Sequence, residues 1–220
     1  MGAVNHDAEK RAAAEQAALL PQNGMRLGLG TGSTVTFLLP ALARRGLDLV
    51  CVATSPETEQ AAARAGLALG RFDELDRLDL AIDGADQVSP EGWLIKGGGR
   101  ALTREKVVAA AADRFVVIVS SDKLVEELSP PVPLELLAFG AAATLRRLGE
   151  ATRRPGPDSP DGGIIADWNG PIAAPGELAS CLSRVPGLVE HGLFPPEMVD
   201  EILVGRKDGT VRRIEIARGR

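Results

Sequence analysis

Short, almost continuous apolar runs alternate with stretches of helical period through the first 120 residues. That rhythm predicts a doubly wound α/β lobe. An alanine-rich stretch over 7–20 predicts a first helix, stopped by Pro21 and the turn Gln22-Asn23-Gly24. Residues 25–30 form a short strand running straight into Gly32, Ser33, Thr34 and an apolar helix that ends near Arg45. Residues 47–54 are nearly all apolar, as a central parallel strand should be. Ser55, Pro56 and Glu57 then start a helix reaching Ala65, with serine at the cap and proline in the first turn. Further strands are predicted over 78–83, 93–96 and 115–120, and a helix over 101–113.

After Ser129-Pro130-Pro131 the rhythm changes. A strand over 132–137, a helix over 141–148, a turn-rich stretch over 153–163, a strand over 164–168, a helix over 177–184 and an extended segment over 188–194 predict a small α+β lobe with an antiparallel sheet. Residues 201–206 and 211–216 flank Asp208-Gly209, a strong hairpin signal.

Composition narrows the function. Five Phe, two Trp and no Tyr leave little for base stacking, and a net charge of −5 does not suit a phosphate backbone. No nucleic-acid partner is therefore expected. The longest greasy stretch, 107–119, is interrupted by Asp113 and Arg114, and Met1 to His6 carry no apolar signal core, so no membrane partner and a cytoplasmic location are expected. Cys51 and Cys181 lack CxxC or metal spacing, and both read as buried reduced thiols. His6 and His191 stand alone and read as structural or surface residues.

Three places could carry chemistry. The segment Gly28-Leu29-Gly30-Thr31-Gly32-Ser33-Thr34 joins a strand to a helix, where backbone N–H groups can face an anion. A dinucleotide site would want an acid at the end of the next strand. That strand ends in Ala53, Thr54 and Ser55, so a phosphate or sugar suits the loop better; a plain turn is the alternative. Asp83 and Asp86 emerge where a buried strand ends and could contact sugar hydroxyls or merely cap the turn around Gly84. No histidine or other carboxylate cluster lies nearby to make them a metal pair. Finally, Lys96 precedes the triple glycine of Gly97, Gly98 and Gly99, with Glu105 beyond. Glu105 shares a helix face with Leu102, Val108 and Ala109, so no cation is available to it locally. Desolvation should raise its pKa and suit it to proton transfer, unless it reaches water or a distant arginine. Lysine is scarce, and Lys10, Lys96, Lys106 and Lys123 fall where a compact cation could meet an anion.

In order and spacing these segments resemble ribose-5-phosphate isomerase of type A. The match rests on Gly30-Thr31-Gly32-Ser33-Thr34, Asp83-Gly84-Ala85-Asp86, Lys96-Gly97-Gly98-Gly99, Leu102-Thr103-Arg104-Glu105-Lys106, Ser121-Asp122-Lys123 and Val185-Pro186-Gly187. The resemblance implies Glu105 as proton-transferring base. It implies substrate binding by Thr31, Gly32, Ser33, Thr34, Asp83, Gly84, Ala85, Asp86, Lys96, Gly97, Gly98 and Gly99, with Lys123 and Lys10 as further contacts. Asp83 and Asp86 are expected to act in catalysis too, orienting hydroxyls and assisting ring opening, with the ring-opening proton assigned to neither. The implied reaction interconverts D-ribose 5-phosphate and D-ribulose 5-phosphate through a cis-enediol(ate), with Lys96 and the glycine N–H groups stabilising the oxygen. It implies a Rossmann-like lobe over 1–129 and 199–220, a ferredoxin-like lobe over 130–198, a homodimer or homotetramer, and no metal or organic cofactor. Two departures stand out: Gln87 replaces the usual glutamate, and Ser159-Pro160-Asp161-Gly162-Gly163 replaces an Asn-Gly-Asn turn. A sugar-phosphate deaminase, an acyl-CoA transferase and a non-catalytic sugar-phosphate sensor are the rival readings.

Overall fold

The computed structural model describes residues 6–216; the amino-terminal reading of residues 1–5 lies outside them. In chain order the elements are α1 (Asp7–Ala17), β1 (Arg26–Leu29), α2 (Ser33–Ala43), β2 (Val50–Ala53), α3 (Pro56–Arg64), β3 (Leu80–Asp83), β4 (Gln87–Val88), β5 (Leu94–Ile95), α4 (Leu102–Ala110) and β6 (Phe115–Ser120). Then come β7 (Val132–Leu136), α5 (Ala141–Leu148), β8 (Ala151–Arg153), β9 (Ile164–Trp168), α6 (Pro175–Leu182), β10 (Leu188–His191), β11 (Leu193–Phe194), β12 (Glu201–Gly205) and β13 (Val211–Glu215). Among the described residues no helix is long and apolar enough to cross a membrane.

Six strands form one sheet in the order β13-β12-β6-β3-β1-β2, parallel except for the edge hairpin strand β13. Its inner strands are apolar on both faces because both are covered. Leu27, Leu29, Leu80, Ile82, Val116 and Ile118 meet α1, α2 and α3 residues on one side. Val52, Ala81, Val117 and Val119 meet Val108 and Ala109 of α4 on the other. This is a Rossmann-like α/β fold. Strand order reverses at β1, whose neighbours β2 and β3 lie on opposite sides, so a crevice opens outside the carboxyl ends of β1 and β3. Leu29 pairs with both Ala53 and Ile82, which brings those ends level.

A second sheet, β10-β7-β9-β8, is antiparallel. With α5 and α6 it has the βαββαβ order of a ferredoxin-like unit. β8 was not foreseen: it is three residues long and exposes Thr152 and Arg153, so it carries no apolar run. The extended stretch over 188–194 divides between two sheets, because β11 leaves β10 to pair with β5. The strand expected over 93–96 likewise lies outside the parallel sheet; β5 is the middle of a small antiparallel ribbon, β11-β5-β4. The first helix stops at Ala17, short of residue 20. Leu19 and Leu20 donate to Gln16 and Ala17, the tighter i−3 pattern of a chain preparing for Pro21.

Candidate active site

The cleft is assembled from three strand ends and the first turn of a helix. After β1 the chain passes Gly30, where an added Cβ would lie 1.8 Å from Asp83 Cγ; only glycine lets the ends of β1 and β3 approach this closely. Asp83 exploits the approach: Oδ1 accepts the N–H groups of Thr31 (3.0 Å) and Gly84 (2.7 Å). α2 then begins at Ser33 without a side-chain cap, so the N–H groups of its first turn remain open to an anion. The Thr31 hydroxyl meets that of Thr54 at 2.8 Å, leaving those of Ser33 and Thr34 for the cleft. From β5 the chain enters the glycine turn. Gly97, at φ +106°, adopts a conformation L-residues rarely take, and the Gly98 N–H donates to Asp86 Oδ2 at 2.8 Å.

α4 presents Glu105 one turn from its start, buried at 3% exposure. Its helix neighbours supply no cation, but Lys96, from outside the helix, does. Lys96 Nζ lies 2.8 Å from Asp83 Oδ2, 3.1 Å from Glu105 Oε2, and donates to Gly84 O at 2.5 Å. Glu105 Oε2 is close to that ammonium yet accepts no well-aligned hydrogen bond. Two buried carboxylates thus share one ammonium, and the trio holds one negative charge too many for its surroundings. Burial, then repulsion from Asp83, raise Glu105 to about 8 against the opposing pull of Lys96. Asp83 is also raised, by burial, with Lys96 opposing. For Lys96 burial works downward, but the two carboxylates outweigh it and its pKa rises, so it stays charged.

Around this trio is a cleft of about 110 Å³ lined by Thr31, Gly32, Ser33, Thr34, Gly84, Ala85, Asp86, Lys96, Gly97, Gly98, Gly99, Glu105 and Lys123. Lys123 sits on a 3-10 turn (Ser121–Lys123) directly after β6. Two expected residues are not in the lining. Asp83 lies beneath it, its side chain 5% exposed. Lys10 stays on α1, 3.9 Å from Asp7.

Several long-range partners had no signal in the sequence. Glu9 is buried and accepts the N–H (2.7 Å) and hydroxyl (2.5 Å) of Ser121, fixing the turn that carries Lys123. His6 is not isolated, because its Nδ1 is 3.0 Å from Glu9. His6, Glu9 and Asp122 place three possible metal-ligand atoms within 4.8 Å, but Glu9 is already satisfied there as an anchor. His191 is buried beside Lys106 and pushed down to about 4 by burial and that charge, which makes it a neutral packing residue. Cys51 is buried and free as expected; Cys181 is free but exposed, because α6 turns that side outward. Gln87 exchanges hydrogen bonds with the backbone of Ser129 and stays out of the cleft. The Ser159-to-Gly163 departure still closes its turn, with Ser159 N–H donating to Gly163 O at 2.8 Å.

Fold and cleft together define an open α/β protein with a candidate active site at the topological switch point, where a buried acid and a fixed ammonium lie beside a glycine turn. The family model of ribose 5-phosphate isomerase A (phosphoriboisomerase A) matches residues 50–209. The chain is 45% identical to ribose-5-phosphate isomerase A of Rhodopseudomonas palustris strain TIE-1, covering 94% of this chain and 97% of that protein. It is 42% identical to the Methanosarcina acetivorans protein of the same name, over 94% of each. Its structure superposes on ribose 5-phosphate isomerase A of Methanocaldococcus jannaschii with a TM-score of 0.89 at 35% identity, over 96% of this chain and 100% of that one. A D-ribose-5-phosphate isomerase in complex with phospho-erythronic acid gives 0.90 at 34%, over the same shares. The chain belongs to the ribose 5-phosphate isomerase A family.

Proposed function

We propose that Glu105 is the proton-transferring base of this isomerase and that Lys96 holds the oxygen on which charge develops. The enzyme interconverts the aldose D-ribose 5-phosphate and the ketose D-ribulose 5-phosphate. One observation carries the assignment: Glu105 is buried in the cleft, 3.1 Å from the Lys96 ammonium and beside the glycine turn. A module that only bound sugar phosphates would gain nothing from burying two carboxylates around one cation.

In the forward direction the Glu105 carboxylate takes the C2 proton of the open-chain aldehyde. The C–H electrons form the C1–C2 double bond, and the carbonyl pair moves onto O1, beside Lys96 and the Gly99 N–H. The O2 proton passes to O1 within the cis-enediol, and Glu105 returns its proton to C1. Asp83, already accepting from Thr31, Gly84 and Lys96, serves as the support of Lys96 and not as a sugar contact. The Gly98 N–H is held by Asp86, so it is not a free oxyanion donor. The phosphate meets the open first turn of α2, the Ser33 and Thr34 hydroxyls and Lys123. Lys10, outside the lining, contributes only positive charge at longer range.

We assign residues 1–129 and 199–220 to a catalytic lobe and 130–198 to a smaller lobe. The antiparallel sheet falling between Val132 and His191 supports this division. We also propose a cytoplasmic homodimer or homotetramer. Phe139 (87% exposed), Leu137 and Val189 are large apolar side chains left uncovered by this chain, and both cysteines are free. Light scattering of the purified protein would read a single-chain mass if the oligomer were wrong.

The activity test is incubation of ribose 5-phosphate with the protein and EDTA in deuterated water. The expected result is ketose with deuterium at C1; neither ketose nor deuterium in the product would reject the reading.

A further inference from the structure

Arg154 lies 58 positions along the chain from Lys96, in a stretch read from sequence only as turn-rich. It follows β8, and Asp167 on β9 grips its guanidinium: Nε donates to Oδ2 at 2.9 Å and Nη2 to Oδ1. Both side chains are 17% exposed. Thus anchored, Arg154 Nη1 donates to the carbonyl oxygens of Gly97 (3.0 Å) and Gly98 (3.5 Å). It does not line the cleft itself.

A trans peptide is planar, with its C=O and N–H pointing in opposite directions. For the Gly97–Gly98 peptide both ends are accounted for. The oxygen accepts from Arg154 (3.0 Å) and, across the turn, from the Arg100 N–H (3.1 Å), and the N–H faces Asp86, a cleft residue, at 2.8 Å. Arg154 is therefore behind the turn and the cleft in front of it. The Gly98–Gly99 peptide offers its oxygen to the same guanidinium, so its N–H, that of Gly99, faces the cleft. Among the described residues that N–H has no acceptor.

We propose that Arg154 is a positioning residue that aims the Gly99 N–H at the enediolate oxygen by holding the carbonyls of the glycine turn from behind. The proposal rests on the isomerase reading above. A guanidinium on a carbonyl oxygen also draws electron density from that amide and makes its N–H a stronger donor. Arg154 is not needed merely to tie the two sheets together. Arg104 to Asp161 (2.6 Å) and Lys106 to Glu190 (2.8 Å) already do that without touching the turn.

The test uses Arg154→Met, Arg154→Lys and Asp167→Asn in the full-length protein. Turnover and the binding of two probes are measured: phospho-erythronate, whose carboxylate oxygen imitates the enediolate, and ribitol 5-phosphate, which has no such charge. Arg154→Met should lower kcat about 10- to 100-fold, somewhat less than removal of an oxyanion donor outright, with KM within about threefold. Phospho-erythronate should bind about tenfold or more weakly while ribitol 5-phosphate is unchanged. Arg154→Lys, which keeps a donor, should recover part of the loss. Asp167→Asn should show the same selective pattern at smaller size, and it decides the matter if Arg154→Met does not fold. Equal weakening of both probes, or no change in kcat and probe binding, would overturn the proposal. Wild-type turnover in deuterated water is read in parallel: the absence of both ketose and deuterium defeats the isomerase reading, whereas normal wild-type turnover with unaltered variants defeats only the role of Arg154.

Discussion

Glu105 binds its proton more tightly in the folded protein, at about 8, than at its ordinary value of 4.5. Between those values the native state holds more protons than the unfolded chain, so stability falls as pH rises through that window. Below 4.5 the penalty is absent, and above 8 it stands in full. Glu105→Gln should therefore melt close to wild type near pH 4.5 and increasingly above it toward pH 8, by up to a few kcal/mol. A Tm difference that stays flat across this range would mean Glu105 is not the group titrating. The same ionisation should shape catalysis, with kcat/KM of the wild type climbing toward a plateau as pH passes about 8. Lys96 answers the complementary question. Lys96→Met leaves two buried carboxylates without their cation and should cost about 3–5 kcal/mol in urea unfolding, as breaking a buried pair does. Adding Glu105→Gln should restore part of that loss, since one carboxylate then remains; a double variant no more stable than the single would refute the shared-cation picture. That Glu105 would feel desolvation was legible from its apolar helix neighbours. Its partnership with Lys96 was not, because eight intervening residues and a turn of unknown shape separate them.

At the scale of elements, legibility followed the strength of each local signal. β6 and β9 coincide with their sequence limits because each is an apolar run closed by turn chemistry. The apolar run starts at residue 47, but β2 begins at Val50, where pairing with Arg26 of β1 begins; an apolar residue can be buried without belonging to a ladder. Two-residue strands such as β5 and β11 carry no periodicity, so nothing in the sequence assigned them to their own ribbon. Yet that ribbon places Lys96, whose N–H donates to Gly192 O at 2.9 Å. The glycine turn beyond it is specified more tightly than composition conveys. At Gly97 a Cβ would lie 2.8 Å from Pro133 Cβ and 2.9 Å from Leu102 Cβ, on a backbone of φ +106°. Gly97→Ala should thus combine strain with overpacking, cost roughly 2–5 kcal/mol, and reduce kcat by shifting Lys96 and Gly99. Gly209→Ala is the control: at φ +83° it meets nothing within 4 Å, so it should cost about 1 kcal/mol and leave turnover intact. Similar urea midpoints and activities for the two variants would remove the packing argument for Gly97.

For the whole molecule, the question is whether two lobes make two folding units. Domains joined by modest contacts usually move and melt separately, but here the chain is sewn together across the cleft. β11 from beyond the antiparallel sheet pairs with β5, matching Leu193 to Ile95 and Phe194 to Leu94. Its two residues enter different cores: Leu193 joins the cluster around Val132, Leu134 and Leu136, whereas Phe194 joins the one around Phe115 and Val117. Unfolding either sheet would expose one of these side chains and free Arg104, Lys106 and Arg154 from their partners. The penalty for opening one half therefore falls on the other, which is what couples two units into one transition. The chain carries its own reporters for this. Trp93 and Trp168, the only tryptophans, both pack against the small-sheet core, while Cys51, on β2 of the six-stranded sheet, is buried at 0% exposure. In a Cys181→Ser background, which removes the exposed thiol, tryptophan fluorescence follows one sheet and thiol labelling of Cys51 the other. The two urea transitions should share one midpoint, and phospho-erythronate, if it binds in the proposed cleft beside β1, β3 and the glycine turn, should move both upward together. Fluorescence that changes at lower urea than Cys51 labelling would instead mean that the smaller sheet opens by itself and that strand pairing at β5 and β11 is too weak to bind the halves into one unit.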